Sequence, residues 1–122
     1  MSKHILVVDD SKTVRNLMSF VFKSKGYQVT TAEDGLDGLE KLYSVDKVDL
    51  IVSDINMPRM DGFTFIKSVR EQDLYRNIPI IILSTEKEDE DIKKGMKFGA
   101  NLYMVKPAQP DTLVRNIKML LG

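Results

Sequence analysis

The feature that most constrains this chain is a recurring unit. A short, almost uninterrupted apolar run ends on a polar or charged residue and is followed by a stretch of helical periodicity. Ile5-Leu-Val-Val8 ends on Asp9-Asp10, Asp49 to Ser53 ends on Asp54, Ile80-Ile-Ile-Leu83 ends on Ser84-Thr85, and Asn101 to Val105 ends on Lys106. A weaker run, Tyr27 to Thr31, completes a set of five. Such runs suit strands covered on both faces, and strands joined by helices of about 10 to 14 residues run parallel as βαβ units. The expected architecture is one α/β domain, a three-layer sandwich with helices on both sides of a parallel sheet.

The helical segments can be placed by their stripes and punctuation. Ser11 or Asp10 stands where it can cap a first helix bearing Val14, Leu17, Met18, Val21 and Phe22, which Gly26 ends. Leu36, Leu39 and Leu42 mark a second helix from about Asp34 to Tyr43. Phe63, Ile66 and Val69 begin a third after the loop bracketed by Pro58 and Gly62, fading by Asp73. A charged fourth helix spans Asp89 to Phe98 and is stopped by Gly99; the last opens at Pro110 or Asp111 and carries Leu113, Ile117 and Leu120.

Composition narrows the function classes. The 122 residues are enough for one domain, residues 1–122, to bury about two-thirds of its unfolded surface. Cysteine is absent, which removes disulfides, thiolate metal sites and cysteine nucleophiles. With 18 basic and 18 acidic residues, no net positive field exists to attract nucleic acid or an anionic membrane. The apolar runs fall far short of the roughly 20 residues of a membrane span, and the N-terminus lacks signal-peptide form. A cytoplasmic protein is expected, without membrane insertion or direct nucleic-acid binding.

In open parallel sheets the functional crevice lies beyond the carboxyl ends of the strands. Those ends carry Asp9, Asp10, Asp54, Ser84, Thr85 and Lys106, so carboxylates, hydroxyls and an ammonium should converge there. Such a charged set calls for a hard cation; oxygen donors favour Mg²⁺, with Mn²⁺ as a substitute, whereas Zn²⁺ would call for His or Cys, and the chain has a single His. A carboxylate beside a cation, a hydroxyl and a lysine is apparatus for receiving a phosphoryl group, and Asp54 is the nucleophile of choice. Each motif alone has a plainer explanation: Asp-Asp after a strand is more often a helix cap, and Asp-x-Asn-x-Pro is a common turn. His4, at the head of the first strand, reads as structural.

Ile5-Leu-Val-Val-Asp-Asp10, Asp54-Ile-Asn-Met-Pro58, Asp61-Gly62, Ser84-Thr85 and Lys106-Pro107, taken together, resemble a response-regulator receiver domain over essentially the whole chain. Little more than one helix follows Pro107, so the resemblance is to the stand-alone chemotaxis type, with no output domain expected. It implies a flavodoxin-like (βα)5 fold with strand order 2-1-3-4-5. It implies Asp54 as phosphoacceptor, Asp9, Asp10 and Asp54 as Mg²⁺ ligands with the backbone carbonyl of Asn56, and Lys106 on the phosphoryl oxygens ahead of a cis Pro107. Ser84 takes the role of switch hydroxyl and Tyr103 that of the aromatic that moves with it. Asn56 and Glu86, with Thr85, take positions that influence loss of the phosphoryl group.

The resemblance further implies two-component signalling: a histidine kinase as phosphodonor, and a downstream protein target such as the flagellar motor switch or another signalling protein. A monomer is expected that acts as a switch rather than an enzyme, assisting its own phosphorylation and dephosphorylation. The output face would combine the fourth helix, with Lys93 and Lys97, the fifth strand and the last helix. Two residues depart from the family pattern: Thr85 stands where a smaller residue is usual, and Ala108 where an aromatic is common. Three rivals remain: a small Mg²⁺-dependent phosphohydrolase, a flavodoxin-like nucleotide carrier, disfavoured by the lack of a Gly-rich phosphate loop, and an adaptor that signals without phosphorylation.

Overall fold

Ile5 to Val8, Leu50 to Val52 and Ile80 to Leu83 are almost devoid of exposed surface, as strands sandwiched between helices must be. The computed structural model describes residues 2–122. Its elements are β1 His4–Val8, α1 Lys12–Ser24, β2 Gln28–Ala32, α2 Gly35–Ser44, β3 Leu50–Ser53, α3 Gly62–Arg70, a 3₁₀ turn Asp73–Tyr75, β4 Ile80–Ser84, α4 Asp89–Phe98, β5 Leu102–Val105 and α5 Pro110–Leu121. The strands form one sheet in the order β2-β1-β3-β4-β5, with every neighbouring pair parallel.

Alternation along the strands sorts the core into two layers. Ile5, Val7, Leu50, Val52, Ile81 and Leu83 pack with Met18 and Phe22 of α1 and with Leu113, Val114 and Ile117 of α5. Leu6, Val8, Ile51 and Ile82 face the other way, onto Leu42 of α2 and onto Phe65, Ile66 and Val69 of α3. The chain leaves β1 toward β2 on one side and returns to β3 on the other. That reversal opens a crevice at the carboxyl ends of β1 and β3.

Several boundaries differ from the sequence reading, each for a local reason. β2 begins at Gln28 because Tyr27 donates its N–H to Phe22 O at 3.1 Å and closes the end of α1. Ser11 supplies the α1 cap, its hydroxyl accepting from Val14 N, and Asp34 caps α2 from outside the helix. α3 stops at Arg70 and the chain tightens into the 3₁₀ turn, while β4 extends one residue to include Ser84. Leu17 and Leu36 lie outside the core, 57% and 42% exposed. The buried face of α2 is made instead by Gly35, Gly38 and Leu42: a Cβ at Gly38 would lie 2.9 Å from the Phe65 ring, so the helix seats there on its backbone.

Candidate functional site

The sheet hydrogen bonds carry on past the strand ends and fix the first polar residues of the crevice. Asp9 N donates to Ala32 O at 3.0 Å, Asp54 N to Val8 O at 2.9 Å, and Lys106 N to Ser84 O at 2.8 Å. The Asp9 side chain is 1% exposed; its Oδ1 accepts from Ser11 N at 2.9 Å and its Oδ2 from Lys106 Nζ at 2.8 Å. Asp54 Oδ1 accepts from Ile55 N at 2.7 Å, and Oδ2 accepts from Lys106 Nζ at 3.1 Å. One carboxylate oxygen from each of Asp9, Asp10 and Asp54 lies within 4.8 Å of the others, the one such acidic cluster among the described residues.

Three carboxylates and one ammonium leave the pocket with a net negative charge. Partial burial favours the neutral form of Lys106, but the Asp9 hydrogen bond and the charges of Asp54 and Asp9 outweigh it, so its pKa rises above the ordinary lysine value. Lys106 is therefore a fixed cation between Asp9 and Asp54. Hard oxygen donors at this spacing, with Asp10 exposed to solvent, fit a small divalent cation that keeps several waters.

Gly62 makes the turn after Asp54 possible. Its N–H donates to Ile55 O at 2.7 Å, and a Cβ at this position would run into the Asp54 carbonyl oxygen. Asp61 then caps α3, accepting from Thr64 N at 2.8 Å. The Lys106–Pro107 peptide is cis, as the resemblance implies.

The second group of expected residues meets through Glu86. Ser84 is fully buried and its Oγ accepts from Glu86 N at 3.1 Å. Tyr103, half-buried on β5 opposite Ile82, donates its hydroxyl to Glu86 O at 2.6 Å. Burial raises the Tyr103 pKa, partly countered by the Ser84 hydroxyl. The Glu86 carboxylate accepts from Asn56 Nδ2 at 2.7 Å, so one residue joins the loops after β3 and β4 to the Tyr103 ring. Thr85 is exposed at the rim, and Asn56 is exposed beside it.

Other expected positions fall outside the pocket. His4 is structural: its Nε2 lies 2.7 Å from Thr30 Oγ1 and its N–H donates to Asp49. Ala108, with Pro107 and Pro110, faces Leu17 and Val21 across an apolar cavity of about 220 Å³, which its small side chain leaves unfilled. Lys94 is exposed, with its Nζ 4.6 Å over the centroid of the Phe63 ring. Two supporting residues carry no signal in the sequence. Arg15 Nη1 donates to Asp9 O at 2.8 Å, and Arg59 pairs with Asp34. Each is a lone arginine without a motif, so spacing gives no signal for either.

A 2-1-3-4-5 parallel sheet with an acidic crevice at the β1/β3 reversal defines a flavodoxin-like domain. The family model described as "Response regulator receiver domain" matches residues 5–118, and the chain belongs to that family. It is similar to the chemotaxis protein CheY1 of Helicobacter pylori, 36% identical over 119 residues that cover 97% of this chain and 96% of that one. It is 38% identical over 121 residues to the alkaline phosphatase synthesis transcriptional regulatory protein PhoP of Bacillus subtilis, covering 99% of this chain but 49% of PhoP. Among solved structures, chemotaxis response regulator CheY4 of Vibrio cholerae superposes with a TM-score of 0.92 at 39% identity, covering 98% of this chain and 99% of that one.

Proposed function

We propose that this protein is a two-component phosphoacceptor switch, with Asp54 as the accepting carboxylate and a histidine kinase as donor. The observation that carries the reading is the Lys106 ammonium held between Asp9 and Asp54 inside a cluster of three carboxylates. An Asp54 carboxylate oxygen attacks the phosphorus of a phosphohistidine; the P–N bond breaks, the imidazole leaves with its electron pair, and an acyl phosphate forms. Asp9, Asp10, Asp54 and the Asn56 backbone carbonyl would hold Mg²⁺, whose chemistry is to neutralise charge on the phosphoryl oxygens. Lys106 supplies a second positive charge at Asp54, and the Ile55 N–H holds the other Asp54 oxygen.

Phosphorylation adds charge at Asp54, and Ser84 is the hydroxyl drawn to it. Its present contact with Glu86 N would then be exchanged, loosening the Glu86 carbonyl that accepts from Tyr103. The readout is a repacking of Tyr103 against α4, where the ring already faces Gly95. The surface of α4, β5 and α5, with Lys93 and Lys97, is the partner face. Asn56 and Glu86 at the rim, beside Thr85, orient water for hydrolysis of the acyl phosphate, which breaks the P–O bond and regenerates the carboxylate. Chemotaxis is the pathway favoured by similarity to the CheY proteins. Beryllofluoride with Mg²⁺, which mimics a phosphoryl group, tests the switch by amide NMR. Shifts at Asp54, Ser84, Glu86, Tyr103 and Met96 are expected, and shifts confined to Asp9, Asp54 and Lys106 would sink the output face.

A further inference from the structure

Among the described residues, Arg59 is the one non-glycine with a left-handed backbone, at φ 64°. Met60 N donates to Pro58 O across it at 2.7 Å, so Arg59 is the centre of a γ-turn of the positive-φ form, which is rare and strained. A side-chain-bearing residue stays in such a turn only where its surroundings hold it there.

Two contacts do so. The Arg59 guanidinium grips both carboxylate oxygens of Asp34, Nε to Oδ2 at 2.7 Å and Nη2 to Oδ1 at 3.1 Å. Gly35 N donates to Met60 O at 3.1 Å, an approach that a Cβ on Gly35 would block, since it would lie 2.7 Å from that oxygen. Asp34 is 2% exposed and is itself fixed, because its Oδ1 also accepts from Asp37 N at 2.9 Å and caps α2. The guanidinium thus ties a strained turn to a rigid helix start. A planar fork suits this task, and an ammonium would keep the charge but lose the second bond.

What the tie restrains is the loop of the acidic pocket. Its base is closed by the Gly62 to Ile55 hydrogen bond, and its strained turn lies three residues beyond Asn56. We propose that Arg59 is a positioning residue for the pocket: its ion pair with Asp34 holds the β3–α3 loop, and with it the Asn56 backbone carbonyl. This inference rests on the assignment of that carbonyl as a metal donor. The start of α2 thereby becomes a support of the cation site while contributing no ligand to it.

Mg²⁺ titration followed by amide NMR tests this on wild type, Arg59→Met, Arg59→Lys, Asp34→Asn and the double variant Asp34→Asn/Arg59→Met. Asp34→Asn keeps a capping oxygen for α2, so it serves where the arginine variant fails to fold. The Mg²⁺ dissociation constant should rise about 10-fold or more in Arg59→Met and in Asp34→Asn, as expected when a supporting partner rather than a ligand is lost. Arg59→Lys should fall between, and the double variant should be no worse than the weaker-binding single one. A dissociation constant within twofold of wild type in both single variants, even with lowered melting temperatures, would show a purely structural pair and overturn the proposal. Absence of saturable shifts in the wild type would overturn the metal assignment itself, and the positioning role with it.

Discussion

Replacing Asp10 by Asn removes one of three carboxylates whose oxygens lie within 4.8 Å of one another. Two unit charges at that separation repel by about 0.9 kcal/mol in water and about 3.5 kcal/mol at an effective dielectric of 20. Asp10 is exposed, which places its interactions near the lower figure, but it faces two neighbours, Asp9 and Asp54. Lys106 offsets part of the repulsion, being 2.8 Å from Asp9 and 3.1 Å from Asp54. The metal-free protein should therefore gain about 1 kcal/mol from Asp10→Asn, or about 4 °C in Tm for a domain of this size. The same substitution removes a donor, so the stabilisation by Mg²⁺, about 1.4 kcal/mol at ten times the dissociation constant, should disappear. Urea unfolding in EDTA and in saturating Mg²⁺, for both proteins, reads the two effects with opposite signs. A variant less stable than wild type in EDTA, or one stabilised by Mg²⁺ as much as wild type, would refute the reasoning.

Two further outcomes follow from local geometry. Gly62→Ala places a Cβ against the Asp54 carbonyl oxygen and should destabilise by about 2 kcal/mol or more, measured by urea denaturation, because the obstacle is backbone. Arg59 holds the Asp34 carboxyl below its ordinary range. The stability this pair confers is then fully present above about pH 4 and is lost as pH falls through the lower folded value. The stability difference between wild type and Asp34→Asn should accordingly shrink on acidification below pH 4, and a difference that grows there would contradict the pairing.

The sheet was legible because its strands are covered on both faces: Ile5 to Val8 and Ile80 to Leu83 have no solvent side to blur the apolar run. The pocket was legible for a related reason, since Asp9, Asp54 and Lys106 each follow directly on a strand, and strand ends are where a parallel sheet gathers its chemistry. What escaped was set by close backbone approach or by a single long side chain. The α2 face rests on Gly35 and Gly38, which carry no hydrophobic signal, whereas Leu36, which completes the apolar stripe, is exposed. Glu86 could be noted as a rim residue, but its link to Tyr103 runs through its backbone carbonyl, which no side-chain identity encodes. Arg59 and Asp34 lie 25 residues apart and meet only once the loop after β3 folds over the start of α2.

The most direct measurement is intact mass after incubation with acetyl phosphate and Mg²⁺. The wild type should gain one phosphate, in a bond more stable to acid than to base, and Asp54→Asn should gain none. An Asp54→Asn protein that still takes up one phosphate, or a wild type that takes up none with Mg²⁺ bound, would contradict Asp54 as the acceptor.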